Sequence, residues 1–237
     1  MKLLVTGVFG QLGHDVKNEL TRRGYECIGS DIAGDSAENY IQLDITDKEA
    51  VEKTIWNVRP DAEIHCAAWT AVDAAEDEEN KEKVDRINHL GTQYIAEAAK
   101  AVNAKMLYLS TDYVFGGEGE RPWQPDDQCF ALLNVYGQCK LNGEMAVSRI
   151  LDKYFIVRIA WVFGVNGKNF VKTMLRVGKN RDTVRVVNDQ IGTPTYTYDL
   201  ARLLVDMIET DKYGHFTGRA RKVLLNNTSG IKIQQLI

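Results

Sequence analysis

Lys2-Leu3-Leu4-Val5-Thr6-Gly7-Val8-Phe9-Gly10-Gln11-Leu12-Gly13 opens the chain with an apolar run that breaks into three glycines spaced Gly-x-x-Gly-x-x-Gly. Val16 and Leu20 follow Leu12 at helical spacing, so the stretch reads as a strand (2–6), a glycine turn and a helix (11–23) closed by Gly24. That order has a physical meaning. Glycines allow a tight turn and close approach of backbone to a pyrophosphate, whose charge the N–H groups at the next helix N-terminus then bind. Asp31 ends the second apolar run (25–30), where a carboxylate accepts hydrogen bonds from an adenosine ribose. Turn, helix and acid predict a dinucleotide site. No arginine follows in Asp31-Ile32-Ala33-Gly34 to neutralise a 2′-phosphate, which tilts the expectation slightly to NADH over NADPH.

Moving outward, strand and helix patterns keep alternating, the signature of an α/β fold with a parallel sheet. A third strand (40–43) stops at Asp44, a residue placed equally well beside adenine or as a solvated or capping acid. A helix (47–57), a fourth strand (62–66), a long helix (82–102) and a fifth strand (105–109) follow. The fourth strand fits least well, because Glu63 and His65 flank Ile64 where a central parallel strand is apolar on both faces. After a loop (116–125) come a helix (135–151) and a strand (154–159), then a helix (169–177), a short strand (184–187), the turn Gly192-Thr193-Pro194 and a last helix (198–209). The expected architecture is a Rossmann-type doubly wound sheet, residues 1–160, with a small, incomplete C-terminal substrate region, residues 161–237, the boundary being approximate and the segments free to interleave.

Charge and composition narrow the class. The 237 residues carry 29 Lys plus Arg against 33 Asp plus Glu, a net charge of −4, which argues against a nucleic-acid binder. No stretch of the sequence approaches a membrane span, and the N-terminal apolar run is too short for a signal peptide. The expectation is a cytoplasmic protein whose four cysteines (Cys27, Cys66, Cys129 and Cys139) are reduced and structural. His65 has no second ligand at metal-binding spacing, so no metal is expected.

Tyr136-Gly137-Gln138-Cys139-Lys140 puts a phenol and an ammonium on one helix face. Tyrosine ionises near pH 10, and bringing it about three units down takes roughly 4 kcal/mol of differential stabilisation, which an adjacent Lys⁺ supplies in part. The pair alone is common. Ser110-Thr111-Asp112-Tyr113 sharpens it, because it follows the fifth strand at the carboxyl end, where open α/β sheets place ligands. Thr111, Tyr136 and Lys140 together make a proton-donating site.

Several blocks resemble one family. Gly10-Gln11-Leu12-Gly13, Leu43-Asp44-Ile45-Thr46-Asp47, Ala67-Ala68-Trp69-Thr70-Ala71-Val72-Asp73, Ser110-Thr111-Asp112-Tyr113-Val114-Phe115, Asn134-Val135-Tyr136-Gly137 with Lys140-Leu141 and Gly143-Glu144, and Asp189-Gln190 with Pro194-Thr195 are similar to the dTDP-4-dehydrorhamnose reductases, extended short-chain dehydrogenase/reductases. The resemblance runs in order from Lys2 to about Gly214. It implies reduction of the 4-keto group of dTDP-4-dehydro-L-rhamnose, a step of dTDP-rhamnose and cell-surface polysaccharide biosynthesis, with Thr111, Tyr136 and Lys140 as the catalytic set and Tyr136 as proton donor. It also implies that Gly7, Gly10, Gln11, Leu12, Asp31, Asp44, Ile45, Ala67, Ala68, Tyr136 and Lys140 line the cofactor, NADH or NADPH. Val72, Thr111, Asp112 and Trp161 would face the dTDP-sugar, and a homodimer is an allowed assembly. Asn88, on the long helix, reads first as a surface polar residue, with a structural or water-relay role as the alternative.

Three features depart from the family's pattern. Leu133 replaces the usual proline, His65-Cys66 replaces Asn-Ala or Asn-Cys, and after Gly214 the resemblance is lost. The expectation for the last is a truncated or frame-altered product, against a genuine short form with a strand at 223–226 and an apolar patch of Ile233, Leu236 and Ile237. Two other functions share the fold: another sugar-nucleotide reductase or epimerase, and a non-catalytic nucleotide-binding regulatory subunit. The dehydratases differ by an acid pair after the threonine, where this chain has Asp112-Tyr113.

Overall fold

Apolar runs bounded by glycines and acids become the strands of a central sheet: β1 (Lys2–Thr6), β2 (Glu26–Asp31), β3 (Tyr40–Gln42), β4 (Ala62–His65), β5 (Lys105–Thr111) and β6 (Tyr154–Ile159). The computed structural model describes residues 1–36, 38–117, 121–128, 134–187, 190 and 192–218. Helices α1 (Gln11–Arg22), α2 (Lys48–Val58), α3 (Glu78–Asp85), α4 (Thr92–Ala101) and α5 (Val135–Ile150) connect these strands, and a wider turn (Arg86–Gly91) joins α3 to α4. Beyond β6 lie β7 (Val162–Phe163), α6 (Phe170–Gly178), β8 (Thr195–Tyr196), α7 (Thr197–Ile208) and β9 (Gly214–Thr217).

Among the described residues, seven strands pair in the order β3-β2-β1-β4-β5-β6-β9, every pair parallel. Side chains alternate between two cores. Leu3, Val5, Ile64, Leu107 and Phe155 meet Leu12, Val16 and Leu20 of α1 and Leu200, Leu204 and Ile208 of α7. On the other face Leu4, Met106, Tyr108 and Ile156 meet Val51 and Ile55 of α2, Ile95 of α4 and Val147 of α5. A sheet covered on both faces is what near-continuous apolar parallel strands require. The strand order reverses between β1 and β4, and the crevice at their carboxyl ends is where such sheets bind ligands.

The structure revises several sequence expectations. Residues 184–187 form no strand, and Val186 and Val187 are exposed. Strand β9 was not foreseen: it begins where resemblance seemed to stop, pairs with β6 and completes the sheet. With α7 packed on α1, the chain returns across the approximate 160/161 boundary and contributes residues 197–217 to the first domain's layers. Strands β7 and β8 form a separate two-stranded parallel pair, also unforeseen. Asn88 is buried rather than on the surface. Cys27, Cys66 and Cys139 are free thiols. Cys129, Leu133, Asp189 and the segments expected at 223–226 and 233–237 lie outside the described residues.

Candidate active site at the carboxyl edge of the sheet

The glycine turn packs against the end of β4 with no room to spare. Gly7 has φ +70°, and a Cβ there would meet the Ala67 nitrogen at 2.7 Å and the Cys66 carbonyl carbon at 2.9 Å. Any side chain would therefore be strained and would wedge β1 from β4. Gly10 is the N-cap of α1 and supplies no side-chain cap, so the N–H groups of the first turn stay open to a ligand anion. Asp31 steadies the turn: its Oδ2 accepts the Phe9 N–H at 3.0 Å and its Oδ1 accepts its neighbour's N–H, from Ile32, at 2.8 Å.

A cleft of about 830 Å³ opens at this switch point. Gly7, Gly10, Asp31, Asp44, Ile45, Ala67 and Ala68, all expected at the cofactor, line it. Asp44 accepts both the N–H and the hydroxyl of Thr46 through Oδ1, at 2.9 and 2.8 Å, while Asp47 caps α2. The other four expected cofactor residues, Gln11, Leu12, Tyr136 and Lys140, are not part of that lining. Leu12 is in the core, and Gln11 accepts a hydrogen bond from Asn169 at 2.9 Å, which ties the turn to the segment before α6. Glu79, Glu82, Lys83, Arg86 and Ile87, which sequence reasoning missed, also line the cleft.

Tyr136 and Lys140 ride on α5, whose start is held from two sides. Asn134 Oδ1 accepts the Gly137 N–H at 2.7 Å, and Glu76 Oε1 accepts the Val135 N–H at 2.7 Å. Glu76 ends the short turn Asp73–Glu76 that follows Val72. Tyr136 packs beside Ala75, Val84 and Cys139, and its ring meets Tyr113 edge-on at 6.0 Å. Thr111 ends β5, donates to Asp112 Oδ1 at 3.1 Å and accepts the Tyr113 N–H at 3.2 Å.

Electrostatics at the site differ from the expectation that Lys140 lowers the phenol. Burial pushes Tyr136 up to about 12, and the neighbouring Thr111 hydroxyl opposes that rise. Burial brings Lys140 down to about 7 against the pull of Glu144. Its Nζ lies over the Tyr108 ring, 4.1 Å from the centroid. The cation that was to act on Tyr136 is parked on another aromatic ring. Burial also lifts the Asp112 carboxyl above its ordinary range.

Asn88 uses its whole amide on one residue: Oδ1 accepts the Trp69 N–H at 2.9 Å and Nδ2 donates to the Trp69 carbonyl at 3.0 Å. This clasp fixes the segment carrying Ala67, Ala68 and Val72. Trp161 stands apart from the cleft after β6, 43% exposed, at φ +47°, with its carbonyl accepting the Thr195 N–H at 3.2 Å. A tryptophan held in the left-handed region is strained, a condition that concentrates at ligand sites.

With this geometry in place, similarities to known proteins can be weighed. Residues 1–221 match the model of a family described as the RmlD substrate binding domain. The dTDP-4-dehydrorhamnose reductase of Aggregatibacter actinomycetemcomitans is 42% identical over 226 residues, which are 92% of this chain and 73% of the relative. A crystal structure of a dTDP-4-dehydrorhamnose reductase from Clostridium acetobutylicum superposes with a TM-score of 0.86 at 41% identity, covering 94% of this chain and 75% of that one. A second, from Bacillus anthracis in complex with NADP, gives 0.83 at 40% identity, covering 93% and 75%.

Proposed function

We infer the function from one premise: this chain belongs to the RmlD substrate binding domain family. The reading is an NAD(P)H-dependent oxidoreductase that reduces the 4-keto group of dTDP-4-dehydro-L-rhamnose to dTDP-L-rhamnose. One observation carries it: Thr111, Tyr136 and Lys140 are brought to the carboxyl edge of β5 and the adjoining face of α5, beside a cleft whose glycine turn suits a dinucleotide.

The reduced nicotinamide, when bound, supplies the hydride. Gly7 admits the pyrophosphate to the turn, the open N–H groups of α1 bind its charge, and Asp31 and Asp44 are the acids at the ribose and adenine end. Tyr136 donates the proton to the substrate oxygen as that oxygen gains charge, and Thr111 shares the same oxygen through its hydroxyl. Lys140, once drawn off Tyr108, favours the tyrosinate left behind and holds the nicotinamide ribose. Val72, Asp112 and the strained Trp161 form the wall toward the sugar nucleotide. Asp31 gives NADH a slight preference over NADPH, because its carboxylate repels a 2′-phosphate and the cations lining the cleft, Lys83 and Arg86, are offset by Glu79 and Glu82. A homodimer in the cytoplasm is the assembly and compartment this reading carries, which light scattering and cell fractionation test.

The deciding experiment is to follow NADH and NADPH absorbance with the purified chain and dTDP-4-dehydro-L-rhamnose, identifying the product by NMR. Stoichiometric oxidation with formation of dTDP-L-rhamnose is expected, NADH giving the higher kcat/KM. A changed sugar without net oxidation would replace the reading with an epimerase, and cofactor binding without any sugar chemistry would replace it with a regulatory subunit.

A further inference from the structure

Beneath Lys140 lies a polar layer that the proposed reaction does not use. On the α4/α5 face of the sheet, β4 and β5 place His65 directly beside Tyr108 in register. The two rings stack with centroids 5.9 Å apart and an interplanar angle of 19°. Tyr108 is fully buried, and its hydroxyl donates toward two carbonyls, Lys140 at 3.2 Å and Asn88 at 3.4 Å. Room for that hydroxyl comes from Gly143, one turn beyond Lys140: a Cβ there would lie 2.4 Å from Tyr108 Oη and 2.7 Å from the Asn88 oxygen.

His65 locks the stack from behind. Thr92 donates its hydroxyl to the Asn88 carbonyl at 2.9 Å, so its oxygen is left to accept from His65 Nε2 at 3.2 Å. Nδ1 is then the bare nitrogen and accepts the Thr6 hydroxyl at 2.7 Å. The Thr6 oxygen in turn accepts the Ala67 N–H at 3.4 Å, next to the glycine turn. Burial holds the ring neutral, down to about 3.

We propose that Tyr108 is a positioning residue for the Lys140 ammonium: its ring face, held in the stack with His65, holds the cation. A desolvated ammonium 4.1 Å from a ring centroid is within cation–π range, and the attraction is strongest where water is excluded. This inference rests on the role given to Lys140 above. The titratable groups facing Lys140 are Glu144 from its own helix, His65 from β4, Cys66 just after it, and Tyr108 from β5; Glu144 is itself paired with Arg158 of β6. Of these, the Tyr108 ring is the group in face contact with Nζ.

The test reads Lys140 directly. Protein labelled with ¹³C at the lysine ε-carbons is titrated by NMR, the Lys140 resonance being assigned by its loss in Lys140→Met. A ring that stabilises the cation raises the midpoint. Tyr108→Phe, which keeps the face, is expected to leave the midpoint in place, and Tyr108→Leu to lower it by about one pH unit. Should the leucine variant fail to fold, a phenylalanine with fluorinated ring carbons at position 108 keeps the shape, weakens the face and lowers the midpoint likewise. In turnover, the alkaline limb of kcat, lost as pH rises through the Lys140 midpoint, moves down with the leucine or fluorinated ring and stays with Tyr108→Phe. An unchanged midpoint in the variants with a lost or weakened face, or an equal fall in Tyr108→Phe, overturns the proposal. If the wild type shows no turnover but the midpoints move as stated, the reductase reading fails and the positioning of Lys140 by Tyr108 stands.

Discussion

Helices α5 and α6 are built in opposite ways. Seven residues of α5 are buried, including Lys140 and Glu144, whereas none of α6 is. Phe170 at the start of α6 is 55% exposed, and Val165 before it 75%. In α5 a charged residue is buried because it has a task or a partner: Lys140 lies on Tyr108, and Glu144 receives the Arg158 guanidinium through Nε at 2.9 Å and Nη2 at 2.7 Å. The cofactor side thus shares its residues with the core. Helix α6 and the segment before it present exposed apolar side chains instead.

That contrast is open to attack at several points. Tyr136→Phe removes one oxygen from α5 and is expected to lower kcat on the order of 10³-fold while leaving the cofactor Kd within about twofold in fluorescence titration. A large loss of cofactor affinity instead would make Tyr136 a binding residue. Glu144→Ala removes the buried carboxylate that receives the Arg158 guanidinium and is expected to cost about 3 kcal/mol in urea unfolding. A loss below about 1 kcal/mol would mean that α5 is not anchored through this pair.

Glu63 sharpens the comparison from inside the core. Both its oxygens are buried without a hydrogen bond, its nearest charge partner being His65 Nδ1 at 3.8 Å, and burial lifts its pKa well above the carboxylate range. The folded protein therefore keeps the proton that the unfolded chain loses above its ordinary value near 4.5. Stability falls as pH rises from there toward the folded value. Glu63→Leu is expected to add about 1–3 kcal/mol, more at pH 8 than at pH 5. An equal gain at both pH values would show that Glu63 ionises in place. The smallest effect belongs to α6: Phe170→Ser is expected to change stability by less than about 0.5 kcal/mol. A cost above about 2 kcal/mol would show that this face is covered and would erase the contrast.

Much of the cofactor side was legible because its signals are local. Gly7 through Gly13 require their conformation by spacing alone, and Asp31 follows at a distance set by one strand and one helix. Tyr136 and Lys140 share a helix face, so their neighbourhood follows from period. What escaped was set by contact across the sheet. Tyr108 reads as one more strand residue until β5 places its ring under α5. Glu63 and His65 did announce themselves as polar residues in a central strand, but nothing in sequence told that one would be orphaned and the other hydrogen-bonded on both nitrogens. Asn88 looked like a surface residue because its partner, the Trp69 backbone, has no sequence signature. Strand β9 was missed because Gly214–Thr217 is half-buried at the sheet edge and only four residues long.

The central claim is that this chain moves a hydride from its cofactor to the sugar carbonyl. Stereospecifically deuterated NADH, each C4 face in turn, with dTDP-4-dehydro-L-rhamnose tests it in one NMR spectrum. One labelled face is predicted to deliver deuterium to C4 of the product, with one cofactor oxidised per sugar. Product formed without deuterium at C4 from either face, or label retained in unconsumed cofactor while the sugar changes, would contradict it.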